Sequence, residues 1–332
     1  MEDDAIGSAM RRYVTRRLAQ AVGVLWAAYT VSFFVLYYLP GDPVAAMFGG
    51  GLDSTTVSPA QIAELRHRYG FDKPVFVQYI DYLGKAVRGD FGNSVSTGRS
   101  VTATLAGALP QTFALAGLAL LLSVVIGGAL AVSASYTRRR WLRQVLLSLP
   151  SLGMSLPTFW VGLMLIELLS FRIGLFPAFG DGGLRGLVLP AVTLAVPPGA
   201  LVAQVLAKSL LAALDEPYVQ TAQSKGASRL RIHLRHTLRN ASLPTLTVVG
   251  LIGGQLLANA VVVETVFSRE GMGRVTANAV TTQDIPLVQG VVVFGALVFV
   301  LLNLIIDLTY PLLDPRIIAT PGSRGAIAGV GA

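Results

Sequence analysis

EPYVQTAQSKGASRLRIHLRHTLRNASLP, Glu216 to Pro244, is a polar, basic stretch wedged between two long apolar runs. Pro217 suits a first helical turn, and Asp215 and Glu216 are favourable beside a helix N-terminus. A helix is expected through Tyr218, Val219, Ala222 and Lys225. Gly226 suits a left-handed stop and Ser228 an N-cap for a second helix. There Leu230, Leu234 and Leu238 make one apolar stripe, flanked by Arg231, Arg235 and Arg239. A basic stripe alone is ordinarily a solvated or head-group-facing surface. The helix–glycine–helix unit is more informative, because the small residues Ala222, Gly226 and Ala227 let another backbone come close. Such an element between two apolar runs has little purpose unless something pushes on it.

The runs on either side set the class. The 332 residues are 53% apolar and 13% charged, against about 25% charged in soluble domains. A membrane helix needs about 20 mostly apolar residues. Six segments qualify: Leu18 to Leu39, Thr112 to Ser135, Leu152 to Phe171, Leu187 to Leu206, Thr245 to Val266 and Leu287 to Leu308. Pro150, Gly153 and Pro157 interrupt the start of the third. The fold class is thus an all-α polytopic membrane protein with six transmembrane helices. The first span is too long in its apolar core for a cleaved signal, and no small-residue cleavage site follows it.

Loop charges give sidedness. Arg11, Arg12, Arg16 and Arg17 precede the first span, Arg138, Arg139, Arg140 and Arg143 follow the second, and Lys208, Lys225, Arg229 and Arg231 are among the bases after the fourth. The net charge of +8 therefore reflects orientation rather than nucleic acid, and both termini are expected in the cytoplasm. The organisation that follows is a cytoplasmic tail over 1–17, the first span over 18–39, an extracytoplasmic helical loop over 40–111, a core over 112–310 containing a cytoplasmic loop at 207–244, and a cytoplasmic tail over 311–332. In the outer loop Ser58-Pro59-Ala60-Gln61 reads as a capping box whose helix ends at Gly70. A second helix is expected after Pro74, with Phe76, Ile80, Leu83 and Val87 on one face and an i,i+4 pair of Asp81 and Lys85 on another.

TAQSKGAS followed by RHTLRNASLP resembles the cytoplasmic loop motif of binding-protein-dependent ABC importer permeases, most closely the dipeptide, oligopeptide and nickel branch. Further strings typical of that family occur in order. They are LPGDP (Leu39 to Pro43), GFDKPVFVQYIDYLGKAVRGDFGNS (Gly70 to Ser94), SLPTFWVGL (Ser155 to Leu163), LPAVTLAVPP (Leu189 to Pro198), VFSREGMGR (Val266 to Arg274), DIPLVQG (Asp284 to Gly290) and DPR (Asp314 to Arg316). The resemblance implies a type I ABC importer permease with a helical insertion between spans 1 and 2, in the bacterial inner membrane. It implies a second homologous permease, ATP-binding subunits, an extracytoplasmic substrate-binding protein, a peptide substrate and membrane lipid as partners. By position, Gln220, Thr221 and Ala222 stand where the family motif has Glu-Ala-Ala, Gly226 is its glycine, and Lys225 stands where many relatives have Asp. The resemblance therefore makes Tyr218, Gln220, Thr221, Ala222, Lys225 and Gly226 the contact with the ATPase. The outer loop reads as a packed cap, as a landing surface for the delivering protein, or as both.

No G-x-x-x-x-G-K-[ST] loop occurs and Gly49-Gly50-Gly51 lacks the lysine, so ATP and magnesium are expected on partner subunits. No catalytic constellation, cofactor site or metal site is expected, and a membrane enzyme is disfavoured. Cysteine is absent and His67, His233 and His236 all lie outside the spans. His233 and His236 read as a solvated pair more readily than as metal ligands. This tilts the substrate toward peptides and away from bare nickel, with a permease for nickel or another chelated metal as the alternative. Glu167, inside the third span, either faces the pore and reads a peptide amine or makes an internal polar contact. Gln255 and Asn259 either line the pathway or bond between helices. Glu264 and Asp307 read as head-group neighbours. Pro197-Pro198 and Pro157 are expected to kink helices and open room along the axis. An ATP-independent channel or secondary carrier is the competing class, disfavoured by the lack of an internal repeat.

Overall fold

A computed structural model describes residues 2–38, 63, 64, 67, 72–180 and 183–313, and these residues are mostly helical. Helices α1 (Glu2–Tyr38), α2 (Val75–Ala86), α3 (Val101–Tyr136) and α4 (Arg140–Ser155) come first. They are followed by α5 (Thr158–Arg172), α6 (Gly183–Leu214), α7 (Pro217–Ser224) and α8 (Arg229–Val266). The chain closes with α9 (Met272–Thr281) and α10 (Ile285–Leu313). The capping box at Ser58 to Gln61, Gly49 to Gly51, the LPGDP and DPR strings, and the side chain of Asp307 lie outside the described residues.

α3, α6 and α8 form the centre, with α3 against α6 the most extensive pairing. Its cause is legible in the residues. Ala119, Ser123, Gly127 and Ala131 recur every four positions along α3, and Ala195, Gly199, Ala203 and Ala207 do the same along α6; all eight are buried. Two small-residue faces let the backbones close up without help from a hydrophobic driving force. Ser123 Oγ crosses to Ala195 O at 3.2 Å, and a Cβ on Gly127 would run into Gly199 O. Pro197 and Pro198 sit inside this packed crossing, within an uninterrupted helix. Gly199, the next residue, lies against the Ser123 backbone of α3.

Contacts at the helix ends give a consistent up–down order. The C-terminal part of α3 meets the end of α6 and the start of α8 through Ala131, Leu206, Leu210 and Ala241. At the other end, Val101 and Leu105 meet Ala279, Leu287 and Val291 of α9 and α10. The first of these ends carries Arg138, Arg143, Lys208 and Arg229, and is called the basic end below. Arg17 of α1 and Leu304 of α10 line one crevice, so those two helices run antiparallel.

Among the described residues, four helices are long and apolar enough to cross a membrane: α1 over Val14–Leu36, α3, α6 and α8. The pair α4–α5, bent by 103°, makes a fifth if taken as one span. The apolar part of α10, Ile285–Leu301, is shorter. The third expected span is therefore a broken helix. Leu156 is extended (φ −82°, ψ 128°), as a residue before proline tends to be, and Pro157 is the N-cap residue of α5.

Candidate functional site

At the basic end α7 carries the helix–glycine–helix reading into geometry. Pro217 occupies the first turn. Gly226 has φ +79°, and Ala227 N donates to Ala222 O at 3.1 Å while Gly226 N donates to Gln223 O at 2.9 Å. This closes the helix as a Schellman-type left-handed stop. Ser228 then caps α8, its Oγ accepting from Arg231 N. Val219 is buried, Tyr218 and Ala222 are half-buried, and Gln220, Thr221, Ser224 and Lys225 are exposed. The six residues expected to act together thus lie on one short helix and its stop, with an outward polar edge.

The start of α8, directly after that stop, is fastened to the end of α3. Arg229 Nη2 donates to Tyr136 O at 2.5 Å, and its guanidinium lies 4.6 Å from the Tyr136 ring centroid, a cation–π distance. His233 packs edge-on to the same ring, with centroids 5.1 Å apart. Its two ring nitrogens face Arg229 O at 3.2 Å and Ser135 O at 3.4 Å. Tyr136 O and Ser135 O are last-turn carbonyls of α3, which lack helical partners and so are free to accept.

His233 is therefore buried, at 4% exposure, and not half of a solvated pair. The cause is a π-helical turn over Ile232–Thr237, which re-phases α8. It turns Ile232, His233 and Thr237 inward and leaves Leu230 and Leu234 exposed, so the expected leucine stripe does not pack as one face.

The candidate pathway residues do not converge on one point. Glu167 lies in a second π-helical turn, Ile166–Arg172, and pairs with Arg172 Nε at 3.0 Å. The wider turn brings positions five apart onto one side. Gln255 and Asn259 are exposed on one face of α8, and neither side chain has a partner among the described residues.

Two buried polar clusters at the opposite end escaped the sequence reading. Glu264 is only 1% exposed, not a head-group neighbour. It accepts from Thr112 Oγ1 and Gly273 N, both at 2.6 Å, and Thr112 Oγ1 in turn accepts from Met272 N at 2.9 Å. A Cβ on Gly271 would enter the carboxylate, and one on Gly273 would run into the Val261 backbone and crowd Glu264 Oε2. Beside it Arg269 donates to Gln111 Oε1 at 2.8 Å and Gly186 O at 3.1 Å. Asp284, fully buried, accepts from Ser94 Oγ (2.5 Å), Ser96 Oγ (2.8 Å), Val95 N and Ser96 N (both 3.1 Å), and Leu287 N (3.2 Å). It caps α10 and clamps the segment before α3. The available signal was an acid close to a Gly-x-Gly turn and an acid directly before a helix-starting Ile-Pro.

In the outer segment α2 forms where expected, but its apolar residues Phe76 and Ile80, and Val87 just past its end, are exposed. The packed face is aromatic: Tyr79 meets Tyr29, Phe33 and Phe34 of α1, with Thr30 Oγ1 and Tyr79 Oη 2.8 Å apart. Asp81 pairs with Lys73 at 2.7 Å rather than with Lys85, whose ammonium lies 5.9 Å from the Tyr82 ring centroid. That partner holds the Asp81 carboxyl below its ordinary value, and burial pushes the Tyr82 hydroxyl up to about 12.

Residues 123–319 match the family model described as "Binding-protein-dependent transport system inner membrane component", and residues 10–116 match that of its N-terminal part. A Sinorhizobium fredii protein named "Probable peptide ABC transporter permease protein" is 34% identical over 313 residues, 92% of this chain and 98% of its own. The "Glutathione transport system permease protein GsiC" of Escherichia coli (strain K12) is 33% identical over 309 residues, 93% and 99% of the two chains. A solved structure titled "Crystal structure of an amino acid ABC transporter with histidines" superposes on 65% of this chain and 94% of that one, with a TM-score of 0.49 at 18% identity.

Proposed function

This chain belongs to the family of binding-protein-dependent transport system inner membrane components, and from that premise we propose that it is the permease subunit of an ATP-driven ABC importer for di- and oligopeptides. The peptide assignment draws on the names of the relatives and on the absence of cysteine and of histidine within the expected spans. The basic end faces the cytoplasm, both termini lie there, and α10 and the bent α4–α5 pair complete six spans. A second permease forms the other half of the pathway, ATP is hydrolysed on separate subunits, and a binding protein delivers substrate to the opposite face.

The observation that carries the coupling role is the polar edge of α7, presented outward while its other side is tied to the bundle. A push on Gln220, Thr221 and Lys225 reaches α3 through Arg229, His233 and Tyr136. It reaches the far end along α8, a 38-residue helix about 57 Å long at 1.5 Å per residue. There Glu264 links α8 to α3 and to the start of α9. Tightly packed helices have few alternative arrangements, so the expected response is a switch between two packings rather than a graded bend. Gln255 and Asn259, unpartnered on an exposed face of α8, suit a polar pathway or the second permease.

The chain contains no cysteine, which makes a labelling test direct. A cysteine replacing Thr221 reacts with a maleimide in the isolated chain and is shielded once the ATPase subunit binds. A cysteine replacing Val219 stays unreactive in both. Equal labelling of the Thr221 site with and without the ATPase subunit removes α7 from the contact.

A further inference from the structure

Beneath α7, on its bundle side, lies a cavity of about 550 Å³ between the end of α3, the start of α4 and the end of α6. This is within the range of small-molecule sites, roughly 300–1,000 Å³. Arg138, Arg143 and Arg229 line it, with Asp215 as the acid, and Val219 and Gln223 bring α7 in as its wall. None of the three arginines is paired with a carboxylate among the described residues. Arg143 Nε is buried with no hydrogen-bond partner among them, and Arg143 Nη2 reaches only Thr137 O, at 3.4 Å. A buried charged donor left unpaired is unfavourable, and a guanidinium fork suits phosphate.

A second cavity adjoins the first. It holds about 240 Å³ between α3, α4 and α6, and the two share Leu211. Its lining is mainly apolar, including Leu130, Ala134, Leu146 and Pro150, with Lys208 also at the wall. A basic chamber opening beside an apolar slot matches a molecule with an anionic head and a hydrocarbon tail. We propose that this pair of cavities binds an anionic phospholipid, its phosphate between Arg138, Arg143 and Arg229 and part of an acyl chain in the slot, so that the lipid braces α7 from behind. Basic pockets between membrane helices on the cytoplasmic side take such head groups. Binding rests on the cavities alone, whereas any effect on ATP hydrolysis rests also on the coupling role of α7.

The test uses the assembled complex in nanodiscs of phosphatidylcholine with graded phosphatidylglycerol. Retained lipid is counted by native mass spectrometry and ATP hydrolysis is followed in parallel. The double variant Arg138→Gln/Arg143→Gln is expected to lower apparent phosphatidylglycerol affinity on the order of thirtyfold, from the usual contribution of each basic residue. The exposed neighbours changed together, Arg139→Gln/Arg140→Gln, remove the same charge outside the cavity and are expected to leave retention unchanged. Leu146→Trp, which fills the slot, is expected to lower retention with every arginine in place. Equal retention by wild type and the Arg138/Arg143 variant overturns the site, as does equal loss in both arginine pairs. Inorganic phosphate added to pure phosphatidylcholine discs distinguishes the source of the anion: full stimulation of ATP hydrolysis by phosphate alone overturns the lipid assignment. Lost retention with unchanged ATP hydrolysis keeps the site and removes the brace.

Discussion

Replacing Asp284 by asparagine isolates what a single carboxylate does at the end opposite α7. Its Oδ1 accepts from Val95 N and Leu287 N, and its Oδ2 from Ser94 Oγ, Ser96 Oγ and Ser96 N. Asparagine keeps the volume and the first oxygen. Its amide nitrogen then confronts three donors. The two serine hydroxyls can rotate to accept, but Ser96 N cannot, and an orphaned donor costs about 1–3 kcal/mol. Turning two charge-assisted bonds into neutral ones removes roughly another 1 kcal/mol each. The expected local loss is about 3–5 kcal/mol. One decade in an equilibrium constant is about 1.4 kcal/mol, so the amides of Val95 and Ser96 should exchange hydrogen at least about a hundredfold faster if they open locally. Hydrogen–deuterium exchange on the assembled complex reads this, with peptides from α3 as the unchanged internal control. Unaltered protection of the segment before α3 would refute the claim that Asp284 holds it to α10.

Other outcomes follow from the same geometry. Gly127→Ala drives a methyl group into Gly199 O, whereas Gly199→Ala meets only ordinary contact with Ser123 at 3.4 Å. The first should destabilise the α3–α6 pairing by about 1–3 kcal/mol and the second by clearly less, as read by thermal melting of the purified complex. Gly226→Asn tolerates the left-handed backbone and should keep most peptide-stimulated ATP hydrolysis. Gly226→Val does not tolerate it and should lose most activity, although a Cβ there meets open space. In the outer segment, Lys73→Ala should return the Asp81 carboxyl upward toward the ordinary value, as a carbon-13 titration of that side chain would show. The sign is fixed. A depressed carboxyl contributes above its ordinary value and loses that contribution as pH falls through the folded one, so the Lys73–Asp81 tie is complete at neutral pH and weakens only in acid.

Much of the fold was legible because apolar length and arginine placement leave traces in composition. α1, α3, α6 and α8 each contain most of an expected span, and α7 ends at the glycine that the residues mark. What was hidden depends on partners distant in sequence or on helix phase. α3 starts at Val101, well before Thr112, because Ser100 caps it and its first turns bury Val101 and Leu105 against α9 and α10. The Glu264 and Asp284 clusters join residues 152 and 190 positions apart, beyond the reach of periodicity. The two π-helical turns shift facing by part of a turn, which is why the Leu230–Leu234 stripe is exposed, His233 is buried and Glu167 meets Arg172. In α2 the aromatic residues of α1 selected the Tyr79 face over the more apolar one.

The most direct test of the central claim is uptake of labelled di- and oligopeptides into liposomes holding this chain, its second permease and the ATPase subunits, with the peptide-loaded binding protein outside. The account predicts uptake that requires ATP and the ATPase subunits, collapses with Gly226→Val, and is not replaced by a nickel chelate. Peptide entry through the purified chain alone without ATP, or transport of the chelate with no response to peptides, would contradict it.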